Sequence, residues 1–390
     1  FRIADRIYGR EVELSMLVDE FERVQGGGLG ITMIAGYSGI GKSRLVLEVQ
    51  QHVAGRGGHF TAGRYDQFQQ DIPYSGMLQA YQSLMKQILT EPTEKIASWR
   101  KKLTSALGVN ANVLIDVIPE LELIIGKQPP VSDLAPADAQ NRFHLVFEKF
   151  IQTLATGEHP LVMFIDDMQW ADAAGLSLME AFFTGTKTRY FYLIGAFRDN
   201  EISPGHPLLS VLSQIRQKGI MLKAITLKPI AEADVRRLIA DSLQASTDNV
   251  RVLSNMVYEK TQGNPFFVRQ FIQTLYKDGV LSYDYETGRW QWDSQKITGE
   301  RITDNVIDFM AAKVLRLSGN TQQTLKIAAC IGNRFPLTLL SAAAGKSAME
   351  VLSDLREPLA LGFIVPEGDV YRNLIKFAPN LRASEPVDGF

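Results

Sequence analysis

The sequence predicts an α/β fold: a parallel sheet with helices on both faces, followed by smaller helical parts. Three observations predict it. A glycine-rich turn, Gly36–Ser43, stands between the apolar run Ile31–Ala35 and residues Leu45, Val46 and Val49 at helical spacing. A second apolar run, Leu161–Ile165, ends in Asp166-Asp167, and a third, Tyr190–Ala196, ends in Phe197-Arg198. Continuous apolar runs of strand length, alternating with helical stretches, are the pattern of strands buried on both faces of a parallel sheet.

The turn fits G-x-x-x-x-G-K-[ST] at every fixed position: Gly36, Gly41, Lys42 and Ser43. Strand, glycine-rich turn and helix are the context this phosphate-binding motif requires. The backbone N–H groups of Gly36, Ser38, Gly39, Ile40, Gly41, Lys42, Ser43 and Arg44 are expected to converge on nucleotide phosphates at the positive end of the new helix. Lys42 would reach the terminal phosphates, and the Ser43 hydroxyl would bind Mg²⁺. A bare chance match in a chain of this length is on the order of one in a hundred, and the flanking context lowers it further. The motif makes this a P-loop NTPase sheet.

The other strand ends complete the expected chemistry. Asp166, at the carboxyl end of its strand, suits the Mg²⁺ acid of P-loop enzymes, acting through a metal-bound water. Asp167 would orient or deprotonate the attacking water. The structural alternative is a turn, with Asp172 capping the next helix. Arg198 ends a strand that opens onto the same crevice, where it could meet the γ-phosphate. Its alternative is a surface pair with Asp199 or Glu201. The expected catalytic set is Asp167, Arg198 and Lys42, with Ser43 and Asp166 for the metal.

In order, residues 1–30 precede the sheet, and residues 31–228 form its domain. Its strands are expected at Ile31–Ala35, His59–Arg64, Leu161–Ile165, Tyr190–Ala196 and Met221–Thr226. A helical excursion from Tyr74 to Ala155 separates the second strand from the third, with a helix from Ala137 onward. Residues 229–300 read as a helical lid, starting near Ala231-Glu232-Ala233-Asp234 and broken at Gly263-Asn264-Pro265. Leu281–Asp293 alternates like a hairpin across Glu286-Thr287-Gly288, with Trp290 and Trp292 on one packing face. Residues 301–390 suggest short helices and then two strands, Phe363–Pro366 and Val370–Phe377, the order of a winged-helix-like domain.

Composition narrows the function classes. The 390 residues carry 41 basic and 43 acidic side chains, so no global footprint for nucleic acid or anionic membrane shows. No run approaches the roughly 18 apolar residues of a membrane span. The one cysteine, Cys330, lies in an Ala-rich helical stretch, predicting a buried small hydrophobe and a reducing, cytoplasmic setting. The first residue is Phe1 and no signal peptide follows, which suggests an excerpt of a longer polypeptide.

Taken together, the motifs resemble the signal-transduction ATPases with numerous domains (STAND), a branch related to the AAA+ ATPases. The nearest likeness is to the ATPase module of very large sensory kinases, between a Ser/Thr kinase domain and a GAF and histidine-kinase region. The stretches that carry it are Tyr8-Gly9-Arg10-Glu11, the phosphate loop, Asp66–Gln69 with Ile72–Ser75, Asp116–Gly126, Ala139–Phe143, Asp166–Asp172, Gly195–Glu201 and Gly263–Phe267. The resemblance implies that Tyr8, Gly9 and Arg10 frame the adenine and ribose of ATP or ADP, and that Pro265 with Gly263 closes over the base. It also implies that the other domains of the same polypeptide are partners, with nucleotide-dependent self-association a further possibility. Relatives place a nucleotide-sensing His-Asp pair where this chain has Pro379 and Asn380, so that contact is not expected here.

Three function classes follow. The first is a slowly hydrolysing ATP switch, closed with ADP and opened by ATP. The alternative is an AAA+-type ATPase acting on DNA through its winged helix, against which the near-neutral charge argues. A small-molecule phosphotransferase ranks last, since it needs neither the second acid nor the appended domains.

Overall fold

The computed structural model describes residues 1–366 except 68–71, 133, 186–187, 300–310, 312–313, 333–334, 362 and 365. The chain divides into two compact units, Phe1–Arg301 and Ile302–Phe390. In the first, five strands form one parallel sheet: β1 (Leu29–Ala35), β2 (His59–Arg64), β3 (Leu161–Asp166), β4 (Phe191–Phe197) and β5 (Leu222–Thr226). Their spatial order is β2-β3-β4-β1-β5. In register, Ala35 stands beside Phe197 and Thr226, and Arg64 beside Asp166. The loops after β1, β2, β3 and β4 therefore leave a single edge of the sheet. That edge is where ligands of open α/β sheets bind.

Successive strand residues point to opposite faces, and both faces are covered. On one side Ile34, Val162, Phe164, Tyr192 and Ile194 pack against α1 (Glu11–Gln25) and α2 (Lys42–Gly55) through Leu17, Phe21, Val24, Leu45, Val46 and Val49. On the other, Ile31, Met33, Leu161, Met163, Ile165 and Leu193 meet the helical excursion. This excursion comprises α3 (Ser75–Leu89), α4 (Thr93–Leu107), α5 (Asn112–Ile115), α6 (Glu120–Ile125) and α7 (Pro136–Leu154). Helices α8 (Ala173–Thr184) and α9 (Pro207–Gln217) complete that layer. Helix α3 lies almost on the strand: a Cβ placed on Gly63 would stand 1.9 Å from the Gly76 carbonyl oxygen. The missing side chain of Gly63 permits that approach, while Gly76 in turn packs on Tyr65, whose ring lies 3.1 Å from where a Gly76 Cβ would stand.

The strands match the expected ones with small shifts. Strand β4 starts at Phe191 rather than Tyr190, because Tyr190 adopts a positive φ of 56° and turns the chain before pairing begins. Strand β1 starts earlier, at Leu29. Beyond β5 come α10 (Glu232–Leu243), α11 (Arg251–Thr261) and α12 (Pro265–Lys277), then an antiparallel hairpin of β6 (Leu281–Asp284) and β7 (Arg289–Trp292). Trp290 packs edge-on to Tyr276 and Tyr283, and its indole N–H donates to Leu243 O at 2.9 Å. Among the described residues no helix is long and apolar enough to cross a membrane.

In the second unit, helices Gly319–Ile331, Leu337–Ala344 and Ala348–Leu361 enclose a small core of Ala328, Leu337, Leu340, Val351 and Leu355. Two expectations change here. Cys330 is exposed, not buried. Thr321, Thr324 and Ala328 are the buried residues of its helix, and two residues beyond Ala328 is about 200° around the axis. Phe363 and Ile364 stand in a bend rather than a strand. The Phe363 N–H is taken by Pro358 O at 2.9 Å, a helix-end bond that withdraws it from any ladder. The second expected strand, Val370–Phe377, and the pair Pro379 and Asn380 lie outside the described residues.

Candidate functional site

Sharp turns at Gly39 (φ 75°) and Gly41 (φ 100°) shape the loop between β1 and α2, in a backbone region that disfavours a side chain. Helix α2 begins at Lys42, so its first N–H groups open into the loop. The buried Lys42 ammonium donates to Gly36 O (2.6 Å) and Tyr37 O (3.1 Å). Burial pulls its pKa below the ordinary lysine value, opposed by the nearby Asp166 carboxylate. One residue on, the Ser43 hydroxyl donates to Asp166 Oδ2 at 2.6 Å.

Asp166 Oδ1 accepts the Asp167 N–H at 2.9 Å, and Asp167 itself adopts a positive φ of 50°. That conformation turns the Asp167 side chain into a buried knot of partners. Arg64, from the end of β2, donates Nε to Asp167 Oδ2 at 2.6 Å and pairs with it again through Nη2. Gln169 Nε2 donates to Asp167 Oδ1 at 3.0 Å, and Arg198 Nε stands 3.4 Å from the same oxygen. Arg198 Nη1 also donates to Glu201 Oε1 at 2.7 Å, while its guanidinium lies 5.1 Å above the Trp170 ring. Gln169 joins β3 to β4, since its Oε1 accepts the Arg198 N–H at 3.1 Å. Both structural alternatives raised by the sequence are present alongside. Arg198 pairs with Glu201, and Asp172 caps α8 by accepting the Gly175 N–H at 2.7 Å. They are compatible with chemistry, because Asp166 and Asp167 are not the capping residue.

A cavity of about 470 Å³ runs from these groups to the amino-terminal segment. Of the residues expected from sequence, Ser38, Gly39, Ile40, Gly41, Lys42, Ser43, Arg44, Asp166, Asp167, Arg198, Tyr8, Arg10 and Pro265 line it. Gly36, Gly9 and Gly263 do not; they shape the backbone beside it. The Gly263 carbonyl, for instance, accepts the Ile230 N–H at 2.9 Å. Tyr8 donates its hydroxyl to Asp241 Oδ2 at 2.7 Å, and burial pushes its pKa up. Arg10 donates to Ile40 O (3.2 Å) and Lys228 O (2.5 Å), tying the amino-terminal segment to the phosphate loop and to the chain after β5.

The cavity also holds residues the sequence reading did not single out. Arg64 is one: it ends β2, and only the pairing of β2 with β3 sets it beside Asp166. Phe266 and Arg269 are others, and Arg269 shares a helix face with Pro265 at i, i+4. Arg269 Nη1 donates to Ala4 O at 2.9 Å, joining α12 to the amino-terminal segment.

Residues 6–194 match the family model described as AAA ATPase domain (AAA_16). Over these residues, just under half of its length, the chain is similar to AAA-type ATPase domains. The matched segment contains the phosphate loop, Arg64, Asp166 and Asp167; Arg198 and the lid lie beyond the match. The hybrid signal transduction histidine kinase G of Dictyostelium discoideum is 29% identical over 427 residues, covering 93% of this chain and 12% of that protein. The peroxide stress-activated histidine kinase mak3 of Schizosaccharomyces pombe is 20% identical, covering 78% of this chain and 14% of that protein. The chain thus spans a small part of the curated relatives it matches. Among solved structures, the Aeropyrum pernix ORC1 protein in complex with DNA is 12% identical, with a TM-score of 0.41, covering 95% of this chain and 88% of that one. The Walker-type ATPase PABY2304 of Pyrococcus abyssi is 14% identical with a TM-score of 0.42, covering 100% and 95%.

Proposed function

We propose that this chain is the ATP-binding, slowly hydrolysing switch module of a larger cytoplasmic sensory kinase, of the STAND type. The observation that carries the reading is the Ser43–Asp166 hydrogen bond of 2.6 Å beside the buried Lys42 ammonium. It joins the phosphate loop to the strand-end acid across the sheet edge, the arrangement P-loop enzymes use for nucleotide and metal.

The residues present suit Mg²⁺. A hydroxyl and a carboxylate are hard oxygen ligands, and this ion takes one or two carboxylates and completes its shell with water and phosphate oxygens. Ser43 and Asp166 would hold it, and bound there it would neutralise phosphate charge. No group of three or more His, Cys, Asp or Glu suited to a metal occurs among the described residues.

Lys42 and the loop N–H groups bind and orient the β- and γ-phosphates. Asp167 orients the attacking water and accepts its proton once one of its guanidinium partners moves aside, because both of its oxygens are engaged here. Arg198 is the group with two options: Asp167 and Glu201 hold it here, and a γ-phosphate offers a stronger anion at the same strand end. A residue whose partner exists with ATP and not with ADP has the differential interaction a switch requires. The lid, with Pro265 and Phe266 in the cavity, closes over the base and carries that difference to the other domains or to a second copy.

The test measures ATP and ADP binding with and without Mg²⁺, phosphate release with and without duplex DNA, and native mass in each nucleotide. Binding of both nucleotides with an ATP-dependent change in shape or mass supports the switch. Phosphate release that depends on DNA supports the DNA-acting alternative, and no binding of either nucleotide defeats both.

A further inference from the structure

The lid is fastened to the phosphate loop itself, at the first turn of α12. Asn264 Oδ1 accepts the Phe266 N–H (3.1 Å) and the Phe267 N–H (3.5 Å), which caps the helix. The other end of the same amide faces the loop: Asn264 Nδ2 donates to Ser38 O at 3.2 Å. The Phe266 N–H also lies 3.3 Å from Gly39 O, sharing its proton between loop and cap. The fit is tight, since a Cβ on Gly39 would stand 2.8 Å from Phe266 Cβ and 3.1 Å from Asn264 Oδ1.

A phosphate loop turns its N–H groups toward the ligand, which leaves the Ser38 and Gly39 carbonyls for partners outside it. Here those partners belong to the lid. We propose that Asn264 is a positioning residue that clasps the lid to the phosphate loop and thereby sets the rate at which nucleotide leaves. The inference rests on the reading of this cavity as a nucleotide site and adds the element that governs release. Phosphates that fix the loop hold its two carbonyls where Asn264 and Phe266 meet them, so an occupied loop favours a closed lid. By reciprocity, a lid that swings away loosens the loop around the phosphates by the same factor. Because the clasp touches carbonyls rather than phosphate, it acts on ADP and ATP alike. That separates it from Arg198.

Two substitutions distinguish the clasp from the helix cap. Asn264→Ser keeps a good capping oxygen but lacks the amide donor and its reach. Asn264→Asp keeps cap and shape but sets a carboxylate oxygen against Ser38 O. The probe is N-methylanthraniloyl-ADP, chased with excess ADP by stopped flow in the whole 390-residue chain. The expected result is release about 2- to 10-fold faster in Asn264→Ser, the loss of one hydrogen bond, and faster again in Asn264→Asp. The ratio of ATP to ADP affinity stays at the parental value, and the urea midpoint of ligand-free Asn264→Ser falls by no more than that one hydrogen bond, because the helix cap is kept. Release at the parental rate in both variants overturns the clasp alone. A change in the ATP-to-ADP ratio also overturns it, placing Asn264 on the γ-phosphate. Failure of the parent to bind the probe defeats the nucleotide reading, and the clasp with it.

Discussion

Arg64 and Asp167, at the ends of neighbouring strands β2 and β3, are joined by two guanidinium nitrogens on one carboxylate oxygen. Gln169 and Arg198 stand at the other oxygen, so in the proposed role of water-orienting acid Asp167 starts with both oxygens engaged. Asp167→Asn removes the charge while keeping the shape. It is expected to bind ATP and leave it intact, with hydrolysis slower by roughly 10²–10⁴, the usual contribution of a general base. The substitution also leaves Arg64 without its ion pair, and since Arg64 is half exposed the stability lost is about 1 kcal/mol. Single-turnover phosphate release checks the first figure. Hydrolysis at the parental rate would leave Asp167 as a turn residue.

Arg198→Ala tests the switch separately from the pocket. ADP affinity should barely change, whereas ATP should weaken by about 1–3 kcal/mol, as for a lost charge-assisted contact. Any ATP-dependent change in shape should vanish. Calorimetry with both nucleotides decides: equal losses place Arg198 on the shared phosphates, and no loss returns it to its Glu201 pair.

Lys42 gives a pH signature as well as a mutational one. Lys42→Ala should abolish nucleotide binding with little change in fold, because the ammonium mainly compensates phosphate charge. Burial holds the Lys42 pKa below its ordinary value, while bound phosphate favours the charged form and raises it. Between those two values binding takes up a proton. ATP affinity should therefore fall as pH rises through the lowered lysine pKa, earlier than for an ordinary lysine. Affinity that stays flat through the alkaline range would mean that another cation carries the phosphates.

Gly63→Ala addresses the fold. The new methyl would meet the Gly76 carbonyl at 1.9 Å, and neither backbone can yield without lifting α3 from β2. A loss of about 3 kcal/mol is expected, at the upper end of overpacking, read from the urea midpoint. An unchanged midpoint would show that α3 slides freely on the sheet.

Local signals carried much of this far. Leu161–Ile165 is strand because five apolar residues in a row can be satisfied only between two layers, and β3 is found there, one residue longer. Gly36–Ser43 is found as the turn leading from β1 into α2 that its spacing predicted. What stayed hidden depends on neighbours. Arg64 looked like the last residue of a strand until the order β2-β3-β4 set it beside Asp166. Gln169 and Glu201 are polar residues in turns, unremarkable until two strand ends share them. Asn264 read as part of the break before a helix, and nothing in its local sequence shows that its amide nitrogen reaches residue 38. Cys330 misled because alanine-rich composition says how a helix packs on average, not which side faces inward.

That outward-facing thiol has a practical use. A chain with one cysteine, in contact with water, offers a single chemical address. A maleimide dye would attach there in one-to-one ratio, with no engineered background to remove first. Paired with a fluorescent nucleotide as energy donor, the dye would turn the second unit into an optical reporter. Its signal would follow, in real time and in one cuvette, whether exchanging ADP for ATP moves the two apart.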